Sequence, residues 1–493
     1  MSHYDQLIAH YQTIHHFNHA QAMLGWDAAA NMPAGGSEAR SNAMAELSVH
    51  VHRLSTQPQL EDWFGHAEQA PLTTEQQASL REMKRQWQQA TLVPEKLVQA
   101  QSIAGSKCEH TWRTQRQEND WKGFEKNWKE VVALSREEAK IRGEALGLTA
   151  YDAMLDKFEP GTTTSSLDML FTDVKTWLPE LIEKALEKQR SDSIILPSGT
   201  FSTDRQKALG LEVMKLLQFD FNHGRLDQSV HPFCGGVPSD VRITTRYDEK
   251  DFVQALMGIV HETGHARYEQ GLPKAFSGLP VGEARSMGIH ESQSLFFEMQ
   301  VGRSKSFISH LSRLSMDAFN AHQDPVFAEE NLYKIYTQVE KGFIRVDADE
   351  LTYPAHVILR YEIERDLING VIEHTDVPDI WDEKMKASLG LSTQDNYKNG
   401  CMQDIHWTDG AFGYFPSYTL GAMYAAQYKA SMVKSLDLEV AIESGDLSPI
   451  FQWLNDNIWS QASLHSTDEL VKRATGETLN AAHFRKHLEG RYL

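Results

Sequence analysis

Two histidines four residues apart, with a glutamate after the first, stand in the run His261-Glu262-Thr263-Gly264-His265. On a helix, residues i and i+4 share one face with Cβ atoms about 5–6 Å apart, close enough for two imidazoles to hold one metal ion. Glu262 projects about 100° round from His261, toward the space of a metal-activated water, where it can act as general base. The H-E-x-x-H spacing therefore predicts metal-assisted hydrolysis of a peptide bond. A zinc enzyme of this kind needs a third protein ligand and one open coordination position. Tyr268 and Gly271 occupy the places where a metzincin carries its glycine and third histidine, so that class is excluded. Glu269 lies one turn further along the same helix, too displaced along the axis to close a tetrahedron. A glutamate from the following segment is the expected completion; Glu283, Glu291 and Glu298 all qualify, and spacing does not choose among them.

The elements that must position these groups read mostly as helix. Phe252, Ala255, Leu256, Ile259 and Val260 follow the spacing of an amphipathic helix, which turns His261 and His265 to the opposite side, toward a cleft. Ser286 to Val301 reads as a second helix. Tyr4 to Met32, Ser37 to Arg53, Thr74 to Gln89, Val93 to Leu146 and Ser165 to Gln189 are rich in Ala, Leu, Glu, Gln and Lys, with Pro/Gly breaks at 32–36, 159–161 and 196–200. The exception is Val230 to Tyr247, where Pro232, Gly235, Gly236 and Pro238 precede a β-rich run from Val241. A hairpin or short sheet is expected there, with an edge suited to binding an extended peptide through main-chain hydrogen bonds. Nothing alternates strand and helix, and no Gly-rich phosphate loop or fixed-period repeat is present. The expected architecture is a large, mainly α-helical protein with a cleft and a small β element beside the metal, residues 1–493 forming a single catalytic domain.

Composition narrows the partners. Hydrophobic residues at 41% and charged residues at 24% are ordinary for a globular protein. A net charge of -20 argues against a phosphate-binding surface, so nucleic acid is not an expected partner; solubility explains it more readily than a preference for cationic substrates. The N-terminus lacks the charged-then-apolar layout of a signal, and no segment approaches an apolar run of about 18 residues, so no membrane association and a cytoplasmic location are expected. Cys108, Cys234 and Cys401 are too few and too scattered for a disulfide framework. His15, His16 and His19, and the pair His50 and His52, have no adjacent carboxylate at zincin spacing and are not expected to hold a functional metal.

Several separated motifs occur in a fixed order. His231-Pro232-Phe233 comes first, then Asp240-Val241-Arg242-Ile243-Thr244 as D-x-R-x-T, then His261 to His265, then His290-Glu291-Ser292-Gln293. Ile344-Arg345-Val346-Asp347-Ala348-Asp349 follows as [IV]-R-x-x-A-D, and Gly400 to Trp407 as G-x-x-Q-D-x-H-W. Together with Leu24-Gly25-Trp26-Asp27 through Met32-Pro33, these span nearly the whole chain and resemble the carboxypeptidase Taq family of zinc metallocarboxypeptidases, with no departure at the motif positions.

The resemblance implies Glu291 as the third ligand beside His261 and His265, and one zinc ion per subunit, for which cobalt or manganese would substitute. It also implies a helical, saddle-like subunit with a deep groove, a fold similar to angiotensin-converting enzyme and neurolysin, assembled as a homodimer. His290 would then pack or hydrogen-bond near the ligands, since neighbouring helix residues point about 100° apart. Glu298, two turns beyond Glu291 and about 10 Å further along, would be structural. The implied activity is release of single amino acids from peptide C-termini, with broad specificity and its motifs within 231–418. Arginine suits recognition of the free carboxylate; Arg345 is the first candidate and Arg242 the second, with an internal Arg345–Asp349 pair as the competing role. Tyr414, Tyr418 and His406 are open alternatives for the donor that stabilises the oxyanion. Asp349, Gln403 and Asp404 are expected to orient ligands or arginines. An oligoendopeptidase or dipeptidase with the same zinc core is the nearest alternative, separable by an amidated C-terminus. A non-catalytic helical peptide-binding protein would have lost a ligand or Glu262, and neither is lost.

Overall fold

In the computed structural model, which describes residues 2–493, helices dominate, as the sequence pattern predicts. α1 (His3–Ala30) begins with a capping box: the Asp5 amide donates to the Ser2 hydroxyl while the Ser2 amide donates to the Asp5 carboxylate. α2 (Ser37–Ser55), α3 (Gln59–Ala67) and α4 (Thr74–Thr91) follow. The stretch Val93 to Leu146, expected as continuous helix, is two helices, α5 (Glu95–Gln117) and α6 (Trp121–Leu146). Asn119 turns left-handed at φ 58° and Asp120 caps α6 by accepting from the Gly123 amide, so local chemistry stops one helix and starts the next. α1, α3 and α4 enclose a core of their own, with Leu7, Tyr11, Leu60, Phe64 and Met83 packed against Leu279 and Val281.

α7 (Ala150–Leu155), α8 (Thr164–Gln189) and α9 (Thr203–Leu216) lead through the main core to the sheet. β1 (Gly224–Gln228), β2 (Phe233–Val237) and β3 (Asp240–Thr245) lie in the order β1-β3-β2; β2 and β3 form the expected hairpin, and β1 runs parallel to β3. Val241 and Ile243 pack the sheet onto Ile259 and Ala266 of α10 (Val253–Gly271), the helix that carries His261 and His265. α11 (Met287–Leu295) follows and runs directly into a π-helical stretch, Phe296–Gly302, so the second predicted helix is only partly α-helical. The chain continues through α12 (Lys305–Phe319), α13 (Glu329–Tyr336), α14 (Tyr353–Ile368), α15 (Val377–Leu389) and α16 (Pro416–Met432). It closes with α17 (Leu438–Ser444), α18 (Ser448–Asn457), α19 (Thr467–Thr475) and α20 (Ala481–Tyr492). Among the described residues no helix is long and apolar enough to cross a membrane.

Two glycines fix the approach of the three helices that matter most. A Cβ on Gly264 of α10 would meet the Gln293 carbonyl oxygen and Ser294 Cα of α11 at 2.6 Å. A Cβ on Gly421 of α16 would meet Glu291 Cγ at 2.7 Å. Both lie well inside ordinary van der Waals contact, so only glycine lets α10, α11 and α16 close on one point.

Candidate functional site

At that point His261, His265 and Glu291 each offer a donor atom, all within 4.8 Å of one another. His261 Nε2 is 3.8 Å from one Glu291 carboxylate oxygen and His265 Nε2 is 3.5 Å from the other. Two donors on one tetrahedral zinc stand about 3.3–3.5 Å apart, so this set fits a divalent metal of that size. Of the three glutamates left open by spacing, Glu291 alone joins the two imidazoles among the described residues. Glu283 accepts instead from Gln86 and lines a separate cavity.

The remaining nitrogens of the imidazoles are also engaged. His261 Nδ1 lies 2.8 Å from Glu298 Oε2, and Arg303 Nη2 donates to the other oxygen of Glu298 at 2.6 Å. Burial alone would push the Glu298 carboxyl up, but Arg303 and His261 outweigh it and hold it down at about 2. Burial would likewise push His261 down; Glu298 and Glu291 hold it up at about 10, so the surroundings stabilise positive charge there. His265 is pushed down to about 4 by burial against the pull of Glu291, which keeps the imidazole neutral, the form able to coordinate a metal. Its Nδ1 lies 2.7 Å from His290 Nδ1, so His290 takes the hydrogen-bonding role expected of it. Burial pushes the Glu262 carboxyl up to about 7 against the influence of His261, a value suited to moving protons near neutral pH.

His261, Glu262 and Glu291 open into a cavity of about 1010 Å³ that Arg345, Tyr353 and Tyr418 also line. Arg345 is buried and fixed on three sides. Its Nε donates to Asp404 at 2.9 Å, its Nη1 to the Tyr353 hydroxyl at 2.6 Å, and its amide to Gln403 at 2.8 Å. Nη2 has no hydrogen-bond partner among the described residues. Asp404 also accepts from Arg360 Nε at 2.6 Å, and the two guanidiniums hold its carboxyl well below the usual range despite burial. Arg345 is thus paired with Asp404 rather than Asp349, which accepts from the Leu351 and Thr352 amides and shapes the entry to α14.

The other candidates divide. Tyr418 faces the cavity, with Arg345 stacked over its ring at 5.0 Å. His406 and Tyr414 stand one layer back: His406 Nε2 is 3.1 Å from the Tyr418 hydroxyl, and the Tyr414 ring packs edge-on against Tyr418. Arg242 is not brought to this cavity. Its fork is taken by Asp240 at 2.9 and 2.8 Å, and its guanidinium stacks on Trp26 of α1. Residues two apart on a strand share a face, so Asp240 is its nearest partner. Glu298 stays outside the donor set, as expected, and its carboxylate contacts the His261 imidazole. Tyr353, which receives Arg345, had no signal in the sequence, and neither did Glu159, buried beneath α11 and accepting from Ser286, Ser417 and the Gly288 amide. A second cluster, His3, Asp62 and His66, lies near the surface. Its two imidazoles are stacked at 4.4 Å and 19°, so their in-plane lone pairs run side by side rather than converge.

Comparison with known proteins places the whole chain. The model of the carboxypeptidase Taq (M32) metallopeptidase family matches residues 6–492. The chain is 37% identical to thermostable carboxypeptidase 1 of Thermus thermophilus over 485 residues, covering 96% of this chain and 94% of that one. It is 34% identical to carboxypeptidase 1 of Bacillus subtilis over 483 residues, covering 97% and 96%. The solved structure of Trypanosoma cruzi metallocarboxypeptidase 1 superposes with a TM-score of 0.97 at 45% identity, covering 99% of both chains.

Proposed function

Since the chain belongs to the carboxypeptidase Taq (M32) metallopeptidase family and is a metallocarboxypeptidase, we propose that it uses one zinc ion per subunit to release single amino acids from peptide C-termini, with broad specificity. One observation supports this reading above the rest. A single cavity joins His261 and Glu291 of the donor set, and Glu262, to a buried arginine with one unpaired nitrogen.

A zinc ion held by those three residues would supply Lewis acidity to the scissile carbonyl and lower the pKa of water to about 7. Glu262 accepts the proton of the attacking water and returns it to the leaving amine. Arg345 Nη2 binds the terminal carboxylate, with Asp404, Gln403 and Tyr353 holding the guanidinium still. Tyr418, kept in place by His406 and Tyr414, donates its hydroxyl to the developing oxyanion. Upstream residues of the peptide extend along β2, the edge strand beyond His231 and Pro232 at the cavity wall.

On the same reading residues 1–493 act as one catalytic domain with the saddle-like architecture shared with angiotensin-converting enzyme and neurolysin. The subunit pairs as a homodimer and works in the cytoplasm, where the three free cysteines suit a reducing setting. The test is product analysis on an unblocked-C-terminus peptide of eight to ten residues incubated with the zinc-loaded protein. Stepwise loss of single residues from the C-terminus is expected, abolished by chelation. Internal fragments appearing first would overturn the exopeptidase reading while leaving the metal site intact.

A further inference from the structure

Behind His265 runs a chain of side chains that takes no part in the steps above. His265 Nδ1 lies 2.7 Å from His290 Nδ1, and His290 Nε2 lies 2.8 Å from Glu269 Oε1. Glu269 follows His265 by one turn on α10, and His290 immediately precedes Glu291 on α11. The chain therefore ties together the two helices that supply all three donors. Tyr268 closes one side of it, its ring edge-on to His290 at 5.4 Å. The far end is different: Glu269 and His290 both line a cavity of about 650 Å³, separate from the one that holds Glu262 and Arg345.

The contacts allow one consistent placement of protons. His265 Nε2 faces Glu291 and is the nitrogen a metal takes, so the proton of the neutral ring sits on Nδ1 and donates to His290 Nδ1. His290 must then accept at Nδ1 and carry its own proton on Nε2, where it donates to the Glu269 carboxylate. His261 is served differently, by direct contact with Glu298. We infer that Glu269 is a positioning residue for the metal, acting through His290 to fix the tautomer and ring angle of His265 and to strengthen it as a donor. The inference rests on the reading of His265 as a ligand.

If so, removing either member loosens the metal, and removing both loosens it no further than removing the one that touches His265. The experiment measures zinc affinity by competition with a chromophoric chelator for wild type, Glu269→Ala, His290→Phe and the double variant. Phenylalanine keeps the ring packed against Tyr268. Each single variant is expected to bind zinc about 10–100-fold more weakly, the usual consequence of losing an outer hydrogen-bonding partner. In the His290→Phe background, Glu269→Ala is expected to change affinity by less than threefold. The visible bands of the cobalt-loaded protein should shift in both single variants, with no added shift in the double. Glu269→Gln, which keeps volume and an acceptor oxygen, covers the case in which alanine impairs folding, and its smaller loss should likewise vanish with His290→Phe. Glu269 variants that bind zinc within threefold of wild type, or that lose the same factor in both backgrounds, overturn the relay. His265→Ala binding zinc like wild type would instead sink the ligand assignment, and the relay with it.

Discussion

Arg345→Gln removes the guanidinium from the end of the cavity, and with it the bonds to Asp404 and Tyr353, but leaves the other anchors of those groups in place. Asp404 keeps its bond to Arg360 at 2.6 Å, Gln403 still accepts from the backbone amide of residue 345, and Tyr353 retains its place at the start of α14. What is lost toward substrate is the unpaired Nη2. A charge-assisted hydrogen bond from it to a terminal carboxylate is worth about 1.5–3 kcal/mol. At about 1.36 kcal/mol per factor of ten, kcat/KM should fall roughly 13- to 160-fold on a substrate with a free C-terminus. An amidated substrate carries no charge for Arg345 to meet, so wild type should already handle it poorly and the variant should lose little more. The assay compares release of Yaa from acyl-Xaa-Yaa with release of the amide from acyl-Xaa-Yaa-NH₂, for both proteins, with melting temperatures measured alongside. The ratio of free to amidated kcat/KM should collapse in the variant by the same factor. If Arg345→Gln lowers both substrates equally, the arginine serves the reacting centre or the fold, and the carboxylate clamp is refuted.

Other perturbations bear on the supports of the site. Asp404→Asn leaves two buried guanidiniums without their shared counter-ion and should cost about 3–5 kcal/mol in urea denaturation at pH 7. Because Arg360 and Arg345 hold the folded carboxyl below its ordinary value of 3.8, its stabilisation is complete above that pH and fades as pH falls further. The deficit of the variant should therefore shrink in acid, and a constant deficit would contradict the ion-pair origin. Gly421→Ala places a methyl 2.7 Å from Glu291 Cγ, so zinc affinity and melting temperature should both drop although no ligand is changed; unchanged affinity would show that α16 yields freely. Glu298→Gln should weaken zinc by about 10–100-fold through His261, as judged by the same chelator competition.

The convergence of His261 and His265, with Glu262 beside them, was legible because helical spacing is local. Spacing did not choose Glu291 over Glu283 and Glu298, which only the motif resemblance singled out, since the choice depends on where α11 passes Gly264, a crossing set by tertiary packing. Glu298 stands outside the donor set, as helical spacing predicts, but its contact with His261 Nδ1 was not legible because the chain there is π-helical. Arg345 was a candidate through its motif, and Gln403 and Asp404 were among the groups expected to orient an arginine; that they hold this one, 58 and 59 residues away, is set by tertiary packing. The pairing of Arg242 was within reach: Asp240 stands two residues before it on a predicted strand, hence on the same face. The break between α5 and α6 was also written locally, in Glu118-Asn119-Asp120, where a left-handed asparagine is followed by a capping aspartate.

The assignment of Glu262 as base beside a metal held by His261, His265 and Glu291 is tested most directly by measuring zinc content and turnover together. Wild type, Glu262→Gln and Glu291→Gln would be loaded with zinc, dialysed, and assayed for bound metal by mass spectrometry and for amino-acid release from acyl-Xaa-Yaa. The expected result is one zinc per chain in wild type and in Glu262→Gln, catalysis in wild type alone, and loss of both zinc and activity in Glu291→Gln. Full activity in Glu262→Gln, or wild-type zinc in Glu291→Gln, would contradict it.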